Sequence, residues 1–481
     1  MTRLLPTPGR PRRPEHHIGG SPWTGPPDGT HQNGEAMSGA SRIRSTAVLA
    51  AAAALTLSAC GGSGGDGGKD DDAPKAKGPN LKGQTVSVAA VWSGPEKDAF
   101  RKVLDAFEEA TGAEVTLVPA QDPIIGFLES KVAGGGQPDV AMLPQVGAIE
   151  QAVANGWAEP LGKGAEEALT TNYSKGWADL GSVDGTPYGV YFKAANKSLV
   201  WYNTAVFENA GVEEPETWDE FLKAAQTVFD SGVTPVSVAG ADGWTLTDWF
   251  ENVYLSQAGP EKYDQLADHE IKWTDASVTK ALETLADLFG NKDFLAGGQS
   301  GALQTEFPSS VTQTFTGGDQ PKAGMVFEGD FVSINIGQTD AEIGTDAKVF
   351  PFPAVGENSP AVVGGDAAVA LKDSKGAQAL LTFLAGPESA EIWAKEGGFL
   401  SPNKAVDTAA YPNDVQRDIA EALIAAGDDI RFDMSDQAPQ AFGGTPGKGE
   451  WKALQDFLKD PKDVAGTQKA LERAAAAAYK E

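Results

Sequence analysis

The chain has 481 residues, 41% of them hydrophobic and 22% charged, which is typical of a folded globular protein of roughly two to four domains. Its 38 basic and 67 acidic residues give a formal net charge of −29, so we expect no nucleic-acid partner, because phosphate binding needs concentrated positive charge. One cysteine excludes internal disulfides and cysteine zinc sites. His269 alone lies outside the N-terminal stretch that holds the other three histidines, so we expect a surface histidine, no metal site and no cofactor.

The N-terminal part has the pattern of a secretory signal. From Met37 onward two arginines precede an apolar run of about 11 residues, and Leu57-Ser58-Ala59-Cys60 follows. The run is too short to span a bilayer, which takes roughly 20 residues as a helix. The end of the segment resembles the lipobox of bacterial lipoproteins, in which the cysteine receives lipid and becomes the first mature residue. The alternative is an ordinary signal peptide with an incidental cysteine.

These features divide the N-terminal part into three segments. Residues 1–36 carry no apolar periodicity and are interpreted as an extension before a true start at Met37. Residues 37–59 form the signal peptide, and residues 60–80, rich in Gly, Asp, Lys and Pro, form a flexible tether. We therefore expect a lipid-anchored protein on the extracellular face of the cell membrane, with its folded body beginning near Leu81.

The first part of the body predicts an α/β lobe. Residues 85–91 are β-rich, residues 93–112 carry apolar residues at helical spacing, and residues 114–118 return to strand. A further strand at 138–142 and a helix at 146–154 repeat the pattern. Strand, helix and strand with short joints indicate a right-handed crossover and hence a parallel sheet covered by helices.

A second α/β lobe follows. Residues 188–202 are strand-like on both sides of a polar middle, 193–197, which predicts that the chain leaves one sheet and enters another. Thr217 and Glu220 then form a capping box that opens a helix. The remaining predicted elements are strands at 234–240, 323–327 and 361–371, helices at 249–257, 278–289, 377–384 and 387–395, and a helical tail at 451–479.

Aromatic and carboxylate residues cluster in four segments, 92–96, 244–249, 328–331 and 431–436. All four fall in predicted loops or at strand ends, where open α/β sheets bind ligands. A sugar suits this inventory, because its apolar face stacks on indole and its hydroxyls bond to carboxylates and amides.

Each cluster also has a structural interpretation. Glu96 follows Ser93 by three residues, which fits a capping box as well as a ligand contact. Trp92 and Trp244 have neighbours that suit an exposed platform or a core position, and Trp249 is predicted to lie in the core.

The carboxylates leave two further alternatives. Asp433 and Asp436 could turn and cap a loop, and spacing alone also allows a catalytic pair from Glu328 and Asp330.

The body resembles the extracellular solute-binding proteins of the maltose-binding-protein type, the sugar receptors of ABC importers, from about Leu81 to Tyr479. The motifs that carry the likeness are GQPDV at 136–140, YGV at 188–190 leading into LVWYN at 199–203, TWDEF at 217–221 and FEGDF at 327–331. The segments KSLVWY at 197–202, TDW at 247–249, HEI at 269–271 and RFD at 431–433 are similar to the α-glucoside-binding branch.

The resemblance implies an α/β, two-lobed periplasmic-binding-protein-like fold of type II, each lobe a sheet covered by helices, joined by three hinge crossings. Lobe 1 would hold 81–193 and 362–405, and lobe 2 would hold 197–355 and 410–481. The other two crossings would fall near 354–362 and 403–411. The same resemblance implies that the ligand is bound by Trp92, Glu96, Gln145, Lys193, Trp244, Asp248, Glu328, Asp330, Asp366, Arg431 and Asp433.

The function implied is capture of a sugar by cleft closure, without chemistry, and delivery to an ABC permease. An α-glucoside or another oligosaccharide is the expected ligand. The chain has no GxxxxGK[ST] loop, so the ATPase would be a separate cytoplasmic subunit. We expect a monomer. The alternatives are a secreted glycoside hydrolase and a peptide-binding receptor of an importer.

Overall fold

The computed structural model describes residues 78–480, except 122, 357, 358, 360, 428 and 429. The N-terminal extension, the signal peptide, Cys60 and most of the tether lie outside these residues. Among the residues described, no helix combines the length and the apolar character needed to cross a membrane.

The described residues form twelve strands. In chain order they are β1 (Thr85–Ala90), β2 (Glu114–Pro119), β3 (Val140–Leu143), β4 (Ser182–Val183), β5 (Thr186–Pro187), β6 (Gly189–Asn196), β7 (Leu199–Asn203), β8 (Val236–Ser237), β9 (Met325–Phe327), β10 (Ala347–Pro351), β11 (Val362–Ala370) and β12 (Arg431–Phe432).

Twenty α-helices and one 3₁₀ turn (Thr408–Ala410) accompany them in the same part of the chain. The helices are α1 (Gly94–Thr111), α2 (Ile124–Ala133), α3 (Val146–Ala154), α4 (Lys163–Asn172), α5 (Lys175–Leu180), α6 (Thr204–Ala210), α7 (Trp218–Asp230), α8 (Trp244–Ala258), α9 (Pro260–Ala267), α10 (Ala276–Phe289), α11 (Gly298–Ala302), α12 (Phe307–Phe315), α13 (Val332–Ile336), α14 (Lys375–Leu384), α15 (Pro387–Ala394), α16 (Asp414–Ala426), α17 (Met434–Gln437), α18 (Gln440–Gly443), α19 (Gly449–Lys459) and α20 (Val464–Ala478).

The first sheet has the order β12-β11-β3-β1-β2, with β6 also paired to β11. Strand β1 lies parallel to β2 and β3, as the strand–helix–strand pattern predicted, while β11 runs antiparallel to β3 and β6. Helix α1 buries Phe100, Val103, Leu104 and Phe107 in this core and ends at Gly112, whose φ of 75° favours glycine. The apolar spacing therefore decides which face of α1 covers the sheet.

The second sheet has the order β10-β7-β9-β8, with β7 antiparallel to both neighbours and β8 parallel to β9. Helix α7 opens with the predicted capping box, in which Thr217 and Glu220 each accept a hydrogen bond from the other's backbone N–H. Trp249 is 1% exposed and packs in this second core, as predicted.

The chain passes from the first sheet to the second at Lys197 and Ser198, between β6 and β7. Residues 193–196 belong to β6, so this passage is shorter than the polar segment predicted from the sequence. The start of β11 runs alongside, because Val362 N–H donates to Ser198 Oγ and Lys197 N–H donates to the Val362 carbonyl. Two segments thus link the sheets side by side.

Two predicted helices differ from the sequence prediction, and helices α2, α4–α6, α9, α11–α13 and α16–α18 were not among the predicted elements. Helix α8 begins at Trp244, five residues before the predicted start, because Gly243 turns the chain there with a φ of 85°. The predicted helical tail consists of two helices, α19 and α20, separated by Asp460, Pro461, Lys462 and Asp463.

Candidate functional site

A cavity of about 500 Å³ lies between the loop after β1 and the start of α8. Ser93 and Glu96 line one side of it. The other side is an aromatic wall made of Trp244, Phe307 and Phe331, whose ring centroids lie 5.4–6.0 Å apart. Trp244 is half-buried, so part of its ring faces this cavity. The cavity therefore has an apolar wall on one side and a charged edge, formed by Glu96, on the other.

Lys193 contacts the charged edge through Glu96. Its ammonium forms an ion pair with Glu96 at 2.6 Å and lies 5.5 Å from the ring centroids of both Trp92 and Trp393. Strand β11 places Asp366 opposite Lys193 in the sheet register. Burial acts to lower the pKa of Lys193, but the charges of Glu96 and Asp366 outweigh it and raise that pKa, so the lysine stays charged.

Asp330 follows β9 and reaches the end of β6. Its Oδ1 accepts a hydrogen bond from Asn196 N–H at 2.8 Å, while its Oδ2 is buried without a partner among the described residues. Burial raises the pKa of Asp330 to about 7, although the Asn196 bond and the Lys193 charge oppose that rise.

Lys197 forms the centre of a buried charged cluster beneath Trp244. Its ammonium pairs with Asp433, with Asp248 at 3.3 Å and with Asp436 at 3.5 Å. The ammonium also lies 5.7 Å from the centroid of the Trp244 ring. Burial opposes the charge on Lys197, yet the carboxylates raise its pKa well above the usual range. Burial likewise opposes ionisation of Asp433, but Lys197 and further hydrogen bonds hold its pKa well below the usual range.

Asp248 and Glu328 complete the cluster with unsatisfied acceptors. Oδ2 of Asp248 and both carboxyl oxygens of Glu328 are buried and receive no hydrogen bond from a described donor. Burial raises the pKa of Asp248, with Lys197 opposing. Burial, and then the charge of Asp248, raises the pKa of Glu328. If Glu328 is protonated, it can donate a hydrogen bond to Asp248. If both side chains are ionised, both can only accept hydrogen bonds, and the donors must come from outside the pair.

The remaining predicted site residues lie further out. Gln145 precedes α3 and forms a side-chain hydrogen bond with Asp436, beside the cluster. Arg431 instead pairs with Asp264 of α9 at 2.7 Å, and the structure does not bring it to Lys197. Of the eleven predicted residues, Glu96 and Trp244 line the cavity, while Asp248, Glu328 and Asp433 belong to the buried cluster.

Several structural alternatives from the sequence are also decided. Trp92 is 8% exposed and packs edge-on against Phe100 and Trp393, so it is not an exposed platform. Ser93 makes no side-chain cap on α1, which leaves Glu96 free to pair with Lys193. His269 was expected at the surface, but its side chain is 16% exposed and lies 3.3 Å from Glu472.

Sequence reasoning missed Lys197 and Glu251 as members of the site. Glu251 lies on α8, one helical turn after Asp248, and accepts hydrogen bonds from Tyr263 Oη at 2.6 Å and from the backbone N–H groups of Met434 and Ser435. The i, i+3 spacing of two acids was the available signal, and it required knowing that the helix begins at Trp244.

Asp248, Glu251 and Asp433 are spaced closely enough to hold a cation, with ligand atoms within 4.8 Å of one another. The ammonium of Lys197 already pairs with two of these carboxylates, and Glu251 already caps α17. Lys197 and hydrogen-bond donors of the chain thus already occupy most of these carboxylate oxygens, so the donor set does not favour a metal ion.

Residues 93–391 match the family described as bacterial extracellular solute-binding protein. The chain is 35% identical over 395 residues to the osmoprotective compounds-binding protein GgtB of a Synechocystis species, covering 79% of this chain and 91% of that protein. It is 34% identical over 413 residues to the alpha-glucosides-binding periplasmic protein AglE of Rhizobium meliloti, covering 82% and 88%.

Among solved structures, the bacterial solute receptor AcbH, whose described preference is for β-D-galactopyranose, has the same fold, with a TM-score of 0.70 and 20% identity over 82% of this chain and 99% of that one. The fold is the expected type II architecture of periplasmic solute-binding proteins, with two sheets covered by helices. The relatives are named as binding proteins, not as enzymes. The chain therefore belongs to the bacterial extracellular solute-binding protein family, as the motifs in its sequence indicated.

Proposed function

We propose that this protein is the sugar-binding receptor of an ABC importer, and that it holds its ligand in the cavity between the loop after β1 and the start of α8. The observation that carries the proposal is the pairing of an aromatic wall with buried carboxylates that lack hydrogen-bond donors. Trp244 offers a stacking surface for a pyranose. Asp330 and Glu328 offer acceptors for its hydroxyls.

The similarity to GgtB and AglE supports this assignment, because the names of both proteins specify small solutes as ligands and that of AglE specifies glycosides. We propose Trp92, Glu96, Gln145, Lys193, Trp244, Asp248, Glu328, Asp330, Asp366 and Asp433 as the ligand set. To these we add Lys197. Arg431 is assigned to the surroundings of the site, because Asp264 holds its guanidinium.

Capture would proceed by closure of two lobes, one holding 81–193 and 362–405 and the other holding 197–355 and 410–481. Strand β12 is an exception within the last range, because it pairs with β11 in the first sheet. The passage at Lys197 and Ser198, beside Val362, would act as part of the hinge. We further propose translation from Met37, lipid attachment at Cys60, a tether over 60–80, action as a monomer, and delivery of the sugar to a permease with a separate ATPase.

A thermal-shift screen followed by calorimetric titration tests the assignment. The panel holds glucose, galactose, maltose, trehalose, sucrose and raffinose, with a tripeptide mixture as the alternative ligand. A ligand at about 100 times its dissociation constant adds about 2.7 kcal/mol to the free energy of unfolding. We expect at least one sugar to stabilise the protein and to be recovered intact. Stabilisation by peptides alone, or release of hydrolysis products above the blank, would contradict the proposal.

A further inference from the structure

The charged groups around the proposed site are strongly unbalanced. Two lysines, Lys193 and Lys197, lie among seven carboxylates that interact with them electrostatically or belong to the same cluster. The set consists of Glu96, Asp248, Glu328, Asp330, Asp366, Asp433 and Asp436. Acids therefore outnumber bases at the site itself.

Neither lysine is available to an incoming anion. Lys193 is paired with Glu96 at 2.6 Å, and the ammonium of Lys197 is shared among three aspartates. Arg431, the arginine predicted for the site, is paired with Asp264. An anionic ligand would have to break an ion pair to find a positive partner, and it would then leave a buried carboxylate uncompensated.

The unsatisfied atoms of the site are all acceptors. They are Oδ2 of Asp248, both carboxyl oxygens of Glu328 and Oδ2 of Asp330, on side chains that are at most 3% exposed. In their ionised forms these carboxylates only accept hydrogen bonds, so a ligand that meets them in that form must donate. A sugar hydroxyl supplies one donor and a protonated amine supplies three, whereas a carboxylate or phosphate group on the ligand supplies none when ionised.

We propose, resting on the proposed sugar-receptor function, that this site selects its ligands by charge. It binds neutral glycosides and glycosides that carry a protonated amine, and it rejects sugar acids and sugar phosphates. The physical cause is twofold: an anion would lie close to an excess of carboxylates, which repel it, and the buried acceptors require donors.

The test compares ligands of matched shape and different charge. The nine compounds are glucose, glucosamine and glucuronate; galactose, galactosamine and galacturonate; and trehalose, 6-amino-6-deoxytrehalose and trehalose 6-phosphate. Calorimetric titrations at about pH 7, where the amino groups are mostly protonated and the acids ionised, give the dissociation constants. We expect every anionic member to bind at least roughly 30-fold more weakly than its neutral parent, and the amino member to bind as tightly as the parent or more tightly.

A variant shows whether the cause lies at the site. Glu96→Gln preserves the shape of the side chain and frees the ammonium of Lys193, so the penalty against the anionic members should fall by roughly tenfold. The matched control is Asp105→Asn on the same helix, because Asp105 is an exposed carboxylate that pairs with Arg101. It makes the same change in net charge and should leave the discrimination unaltered. If Glu96→Gln lowers the melting temperature sharply, Asp366→Asn replaces it.

The outcomes separate the two proposals. An anionic member that binds within threefold of its neutral parent, or more tightly, overturns the charge selection and leaves the sugar-receptor function intact. An equal loss of discrimination in Glu96→Gln and Asp105→Asn also overturns it. If none of the nine compounds binds, the ligand class stated here is wrong. The sugar-receptor function is then tested by the broader sugar panel alone.

Discussion

The side chain of Trp244 has three kinds of neighbour. Its ring contacts Phe307 and Phe331 on the aromatic wall, covers the ammonium of Lys197, and leaves part of its surface open to the cavity. Because Trp244 is held from behind by aromatic rings and a cation, its orientation is set before a ligand arrives. A preset ring loses little side-chain entropy on binding.

Trp244→Ala should weaken sugar binding by about 2–4 kcal/mol, or roughly 30- to 1000-fold, because it removes a large rigid contact surface. Calorimetric titration with the best sugar of the panel measures the loss, and melting curves of the unliganded protein measure the effect on stability. Phe229→Ala is the control, since Phe229 is an exposed aromatic residue at 39%. Lower stability with unchanged affinity would remove Trp244 from the site.

Asp330→Asn should weaken sugar binding by about 1.5–3 kcal/mol, since the amide keeps the shape of the side chain but loses the charge-assisted bonds. The substitution should also change the pH dependence of unliganded stability. Burial raises the pKa of Asp330 to about 7, above its ordinary value of 3.8. Between these values the folded state binds more protons than the unfolded state, so Asp330 makes stability fall as pH rises from about 4 to 7.

Melting curves at about pH 5 and pH 8 check the pH effect, because the variant lacks this contribution and should lose less stability on that rise. An identical pH dependence in the wild-type protein and in Asp330→Asn would contradict the assigned burial of this carboxyl group. Unchanged sugar affinity would mean that Asp330 serves only to hold Asn196.

At the scale of elements, the start of α8 decides how the site is built. Gly243 has a φ of 85°, and a Cβ atom at that position would lie 2.9 Å from Cβ of Trp451. The turn makes Trp244 the first helical residue and brings Asp248 and Glu251 onto successive turns of the helix below it. One glycine thus aligns the stacking ring with the buried acids.

Gly243→Ala should destabilise the protein by about 1–2 kcal/mol from backbone strain, with about 1–3 kcal/mol more from the clash with Trp451. Because the helix start must shift, sugar affinity should also fall. Gly211→Ala is the matched control: its φ is 67° and no heavy atom lies within 4 Å of the added Cβ, so it carries the strain alone. Urea unfolding and calorimetric titration of both variants separate the two effects. Equal losses would show that the contact with Trp451 is unimportant.

At the scale of the whole molecule, sugar binding should compact the protein. The two sheets are linked by adjacent segments at Ser198 and Val362, which allows hinge motion between them. A shift from 1:99 to 99:1 in favour of the closed form needs about 5.5 kcal/mol of differential affinity. Small-angle scattering with and without the best sugar should give a smaller radius of gyration in its presence. Identical radii at saturation would contradict closure.

Membrane attachment is a second property of the whole chain. Cys60→Ser should release the protein into the medium with its melting temperature and sugar affinity unchanged, because the residue is the first of the predicted tether and precedes the predicted start of the body at Leu81. Fractionation and immunoblotting measure the distribution. Ala59→Ser serves as a control that keeps the cysteine and a small residue before it. Retention of Cys60→Ser in salt-washed membranes would contradict lipid anchoring.

The sequence by itself determined the family and the principal elements of both sheets, but not the shorter helices between them. Periodicity identified β1, α1, β2 and α3 because the pattern of each element lies within a short continuous segment. The capping box of α7 could be recognised because its two partners lie three residues apart. The motifs were sufficient for the solute-binding family because they are also local. The early start of α8 was missed because Gly243 acts through its conformation and through contact with Trp451, not through periodicity.

Only the tertiary structure decided which charges meet. Lys197 and its partner Asp433 are 236 positions apart, and Lys193 and Glu96 are 97 apart, so no spacing rule could pair them. The same holds for the burial of Trp92 against Trp393 and for the pairing of Arg431 with Asp264. Ion pairing and burial depend on distance in space, which is set when the two sheets and their helices pack, and the local pattern of a chain does not encode that distance.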